Sequence, residues 1–161
     1  MKNQPNRNYS SNDVIMTPDY LCKAIVEHFK PSGKILEPCK GTGNFLKYMK
    51  ADWCEIEEGK DFFNYNKKVD WIITNPPYSK MRKFLIHSFE ISQNIVFLIT
   101  INHIWTKARV RDMQNHGFDI KEILLINTPK EFPPMGFQFG IVHFQKNYKA
   151  NWLNWLKGDI S

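Results

Sequence analysis

Asn75-Pro76-Pro77-Tyr78 gathers an amide side chain, carbonyls without neighbouring N–H groups and a phenol ring into one tetrapeptide. It follows the apolar run Val69-Asp70-Trp71-Ile72-Ile73-Thr74, which reads as a buried strand, so it falls at a strand's C-terminal end. Two prolines cannot continue a central ladder, because each lacks the N–H donor and has a fixed φ. Pro76 also pushes Asn75 out of the helical region. The result is a stiff, extended loop. Such a loop suits an amino group on a flat ring. The Asn75 oxygen and the Pro76 carbonyl can accept the two N–H bonds of an exocyclic amine, while Tyr78 stacks on the ring. A proline-rich turn carrying a tyrosine has the same four letters, so the motif needs a second one beside it.

That second motif lies upstream. Lys34-Ile35-Leu36-Glu37-Pro38-Cys39 reads as a buried strand running into Lys40-Gly41-Thr42-Gly43-Asn44, and the apolar pattern Phe45, Leu46, Met49 follows. Gly41 and Gly43 permit a tight turn and a close ligand approach. Strand, glycine loop and helix form the context of a nucleotide site. The loop lacks the Lys-Ser/Thr of a phosphate loop and the third glycine of a dinucleotide fingerprint. Glu37 would repel a pyrophosphate and attract a cationic amino-acid moiety. An adenosyl group carrying an amino acid fits better than a dinucleotide.

With these motifs in order, the chain resembles the S-adenosylmethionine-dependent amino-methyltransferases, above all the adenine-N6 DNA methyltransferases. The resemblance runs from about Thr17 to Phe144. Thr17-Pro18-Asp19-Tyr20-Leu21 looks like the segment that this family places against the methionine end of the cofactor. Trp53-Cys54-Glu55-Ile56 resembles the second strand, whose terminal acid holds the ribose hydroxyls. Gly59-Lys60-Asp61-Phe62-Phe63 resembles the motif whose acid and aromatic embrace the adenine. The resemblance implies S-adenosyl-L-methionine as cofactor, held by Thr17, Pro18, Glu37, Pro38, Gly41, Gly43, Glu55, Asp61, Phe62 and Asn75. It implies Asn75, Pro76, Pro77 and Tyr78 as the catalytic loop. Glu57 and Glu58 compete with Glu55, which is preferred because it ends the strand. Lys40 is an unusual charge in the glycine loop, though it can point to solvent. For the other face of the base, Phe132 and Phe137 in the loop Lys130–Phe139 are candidates, with core packing an equal alternative for each.

The elements that must position these residues follow from periodicity. Helices are predicted over Pro18–Lys30, Asn44–Lys50, a stretch from Met81 to Phe89, and Thr106–His116. Strands are predicted over 34–38, 52–56, 61–65, 69–74, 94–100, 118–127 and 139–146. Alternating strands and helices indicate an α/β doubly wound, Rossmann-like sheet. The resemblance implies seven strands, mostly parallel, with the last one antiparallel and inserted beside the fifth. The expected organisation is a flexible arm over 1–13, one methyltransferase domain over 14–148 and a short amphipathic tail over 149–161.

Composition narrows the partners. With a net charge of +6 and a pI of about 9.2, the chain favours polyanions. Lys80, Arg82 and Lys83 after the Asn75 loop, and Lys107, Arg109 and Arg111 after the fifth strand, could contact phosphates. Nucleic acid is the expected substrate, DNA ahead of RNA, with adenine N6 as the target. Protein glutamine methylation and a non-catalytic subunit are the remaining alternatives. No separate target-recognition region is legible, so relaxed specificity supplied by short loops is expected, the alternatives being a protein partner that supplies it or an enzyme with almost none. The scattered histidines and three cysteines show no metal-ligand spacing. No membrane span or signal peptide is legible, and a cytoplasmic protein of prokaryotic or phage type is expected.

Overall fold

The computed structural model describes residues 15–134 and 136–154. The expected arm over 1–13 and the tail beyond Asn154 lie outside the described residues. Among the described residues six strands form one sheet: β1 (Ile35–Glu37), β2 (Asp52–Trp53), β3 (Trp71–Thr74), β4 (Asn94–Thr100), β5 (Phe118–Ile126) and β6 (Phe139–Lys146), in the order β2-β1-β3-β4-β6-β5. The pairings from β2 through β4 are parallel, whereas β6 runs antiparallel between β4 and β5. The order reverses between β1 and β3, so their C-terminal ends flank a crevice, where open α/β sheets bind ligands.

Among the described residues three α-helices accompany the sheet: α1 (Asp19–Phe29), α2 (Met81–Ile91) and α3 (Lys107–Asn115). One apolar layer joins α2 to Leu36, Ile72, Ile95 and Phe97. The other joins α1 to Ile35, Ile73, Val96 and Leu98. Successive residues of β4 thus alternate between the two layers, and its unbroken apolar run reflects burial on both faces.

Two predicted elements are corrected. Asp61–Tyr65 is not a strand but a 3-10 turn over Phe62–Asn64. The Asp61 carboxylate caps it by accepting the Phe63 N–H at 2.9 Å. Phe62 and Phe63 both pack on Phe84, at centroid distances of 4.9 and 5.1 Å. A strand would send adjacent rings to opposite faces. Asn44–Lys50 is likewise not an α-helix but a 3-10 turn over Phe45–Lys47. Its i→i+3 bonds tighten the chain so that Phe45 and Met49 both reach the α1 layer before β2 begins.

Candidate active site

Four segments meet at the carboxyl ends of β1 and β3 around a cleft of about 470 Å³. They are the stretch before α1, the glycine loop, residues 55–63 and the Asn75 loop. The cleft brings together Pro38, Gly41, Glu55, Asp61, Phe62 and Asn75 from the predicted set, together with Pro77 and Lys80. Glu37, Gly43, Thr17 and Pro18 of that set do not line it. Ile15 and Met16, just before Thr17, do line it, and Thr17 and Pro18 line a second groove that shares Ile15 and Met16.

Glu37 ends β1 and is 1% exposed. Its Oε1 accepts the Cys39 N–H at 2.9 Å, whereas its Oε2 is buried with no hydrogen-bond partner. Burial raises the carboxyl to about 8, against a weaker opposing pull from Thr74 and the Cys39 amide. The Thr74 hydroxyl acts here by proximity, since its oxygen is also buried without a hydrogen bond that meets ordinary geometry. An uncompensated acid at a strand end beside a glycine loop is chemically matched to a cation from outside.

The glycine loop turns on two left-handed residues, Gly41 at φ +50° and Gly43 at φ +81°. Glu55 braces it, with one carboxylate oxygen accepting the Gly41 N–H at 2.8 Å. The other oxygen caps the following turn through Glu57 N–H at 3.4 Å. Glu57 and Glu58 also line the cleft, so with Glu55 and Asp61 four acids share it. Lys40 is held against its neighbours. It pairs with Glu58, its side chain is 18% exposed, and its ammonium lies 4.0 Å from the Trp53 ring centroid. The Glu58 carboxylate and the ring face compensate its charge.

Asn75 sits at the end of β3, and its Nδ2 donates to the Ile15 carbonyl at 3.1 Å. That bond directs Oδ1, the acceptor, away from Ile15. Nearby, Asn44 Nδ2 donates to the Thr17 carbonyl at 2.8 Å, so two side-chain amides latch the stretch before α1. Sequence reasoning missed Ile15, Met16 and Asn44. Ile15 acts through a backbone carbonyl, which carries no signal in residue type.

Tyr78 packs inward. It touches both apolar layers, lies near Phe139 and is nearly parallel to the His103 ring at 6.2 Å. Its hydroxyl is buried without a partner, and burial pushes its pKa up. Phe132 is 5% exposed and packs edge-on against Phe139 at 5.3 Å, in the α1 layer. Phe137 is 59% exposed. Lys80 and Lys83 are exposed, whereas Arg82 forks onto Asp112 at 2.7 and 2.9 Å. Among the described residues no cluster of His, Cys, Asp or Glu could hold a metal ion, and no helix is long and apolar enough to cross a membrane.

Sheet order and cleft position define the methyltransferase form of the Rossmann-like fold. No protein-family model and no curated protein matches the sequence. Solved structures do match. A Pyrococcus horikoshii protein described as an RNA methyltransferase superposes with a TM-score of 0.58 at 19% identity, over 80% of this chain and 82% of that one. The M protein of the type I restriction enzyme EcoKI gives 0.61 at 15% identity, over 81% of this chain and 44% of its own. The 23S rRNA methyltransferase ErmE gives 0.59 at 13%, over 84% and 72%.

Proposed function

We propose that this chain transfers a methyl group from S-adenosyl-L-methionine to the exocyclic N6 amine of adenine in DNA. The observation that carries this reading is Asn75. Its amide is anchored through Nδ2 to Ile15, which leaves Oδ1 as an acceptor at the mouth of a cleft suited to an adenosyl group. The residues present fit the cofactor. Glu37 Oε2 would take its ammonium, Glu55 its ribose hydroxyls, and Asp61 with Phe62 its adenine. When bound, the cofactor supplies an electrophilic methyl group on a sulfonium.

The chain's own residues then position the acceptor. An aryl amine is a poor nucleophile because its lone pair is delocalised into the ring. Asn75 Oδ1 and the Pro76 carbonyl accept its two N–H bonds and favour localisation of the lone pair. No strong base is needed, since the amine proton becomes acidic as the new bond forms. Catalysis rests on orientation and electrostatic stabilisation. The base must leave a duplex to reach the loop. Tyr78 would have to turn out of its packed position to stack on it, and Phe137, already exposed, is the better placed of the two candidate phenylalanines.

Adenine in RNA is a second reading, favoured by two of the similar structures, which are described as an RNA and an rRNA methyltransferase. The test is transfer from labelled S-adenosylmethionine to duplex DNA, single-stranded DNA and RNA, with nucleoside identification. N6-methyladenine from DNA supports the main reading, and label confined to RNA moves the substrate.

A further inference from the structure

Next to the Asn75 loop lies a cluster of cations that the cofactor cleft does not use. Arg82, on the first turn of α2, is closed onto Asp112 in a two-bond fork. Arg109 lies three residues before Asp112 on α3 and so faces a carboxylate that is already engaged. Its Nε is buried without a hydrogen-bond partner. The charges of Arg109 and Arg111 act on the same Asp112, so one carboxylate feels three guanidinium groups and bonds one of them. Burial, followed by the neighbouring Arg82 charge, lowers the pKa of Arg109. A guanidinium does not escape such a position by losing its proton. What satisfies it is an anion from outside.

The position of this cation narrows the choice of anion. Burial, then the charge of Arg109, lowers the pKa of His103, so the field of Arg109 reaches that ring. His103 in turn is stacked on Tyr78 of the target loop. Asn102, next to His103, also has a buried Oδ1 without a partner. An unpaired acceptor, Asn102 Oδ1, therefore neighbours in sequence the histidine that stacks on the target loop, and an unpaired donor, Arg109 Nε, follows on the next helix. A guanidinium fork matches two oxygens of a phosphodiester.

We propose that Arg109 is the phosphate anchor for the substrate strand beside the target base, and that the Arg82–Asp112 pair keeps Arg109 available for it. This rests on the reading of the substrate as nucleic acid. Arg82, a candidate phosphate contact from sequence, becomes the group that occupies Asp112.

The test is binding of a fluorescein-labelled mixed-sequence 12-nucleotide DNA, single-stranded and duplex, across a salt series. Arg109→Gln is expected to flatten the log–log salt slope by about 0.7 for the single strand and about 0.9 for the duplex. Arg109→Lys, which keeps the charge, is expected to restore the slope with weaker affinity. S-adenosylmethionine affinity, measured calorimetrically, should stay within twofold in both. An unchanged slope in Arg109→Gln overturns the proposal. A measurement on the unmutated chain guards against misfolding of the variants. Phenylglyoxal labelling of Arg109, read by mass spectrometry, should slow when the oligonucleotide is present, and equal labelling overturns the proposal. Methyl transfer separates the two readings. Transfer to DNA with an Arg109-independent slope sinks the anchor alone. An Arg109-dependent slope without transfer to any nucleic acid supports the anchor and sinks adenine methylation.

Discussion

At the scale of single residues, Asn75 and Glu37 are the most consequential side chains. Asn75→Ala is expected to lower the rate of methyl transfer by about 10²–10³-fold, the scale seen when one transition-state hydrogen-bond partner is lost. Cofactor affinity should stay within a few fold. Equal loss of both would remove Asn75 from the target side. Glu37 makes a pH-dependent statement. Its carboxyl rises from 4.5 to about 8 on folding, because burial disfavours the charged form. A raised pKa means that its contribution to stability is full below about 4.5 and is lost as pH rises through about 8. Glu37→Gln should therefore flatten the decline of Tm between pH 5 and 8 in the ligand-free protein. An ammonium placed at Glu37 would favour the carboxylate, so cofactor binding at pH 7 should release close to one proton. Calorimetry in buffers of different ionisation enthalpy measures it. No proton release would place the ammonium elsewhere.

At the scale of elements, the stretch before α1 and the turn after β4 are set by close packing against glycines. A Cβ on Gly41 would stand 2.7 Å from Met16 Sδ, on a residue at φ +50°. Gly41→Ala adds backbone strain of roughly 1–2 kcal/mol and displaces Met16 from the cleft, so cofactor affinity should fall about tenfold. An unchanged dissociation constant would show that the loop tolerates a different turn. Gly140 in β6 lies under the turn Ile101–Ile104, and a Cβ there would meet Ile101 Cγ2 at 2.6 Å and the Leu124 carbonyl at 3.3 Å. Backbone cannot yield as a flexible side-chain end does. Gly140→Ala should cost about 1–3 kcal/mol as an overpacking change, read as a lower Tm with cofactor affinity retained. The same scale shows where periodicity misled. Phe62-Phe63 has the composition of a strand, but α2 offers both rings one surface, and the Asp61 cap makes the turn. The helical pattern Phe45, Leu46, Met49 is real as a list of buried contacts, yet it belongs to a single tight turn.

At the scale of the whole molecule, net charge and its placement govern the encounter with a polyanion. The +6 charge of the chain predicts DNA affinity that falls steeply with salt. Lys80 at the cleft and Lys83 one helical turn on are both exposed. Replacing both by glutamine should flatten the duplex salt slope by up to about 1.8 if each meets one phosphate. An unchanged slope returns them to the solvated face of α2.

The sequence by itself determined the alternation of strands and helices, the span of β4 and β6, and the strand ends that carry Glu37 and Asn75. These are local facts. Proline and glycine punctuate the chain through steric limits on φ and missing donors, and a strand buried on both faces must be apolar throughout. The antiparallel last strand was legible through family resemblance. Tertiary structure alone decided which charges are spent and which remain. Arg82 and Arg109 look alike as letters, but only one reaches Asp112 with a full fork. Phe132 and Phe137 share a loop, but one is buried against Phe139 and the other exposed. The anchor of the Asn75 amide is a carbonyl sixty residues away. Pairing between distant groups depends on how elements pack in space, and residue type along the chain does not encode it.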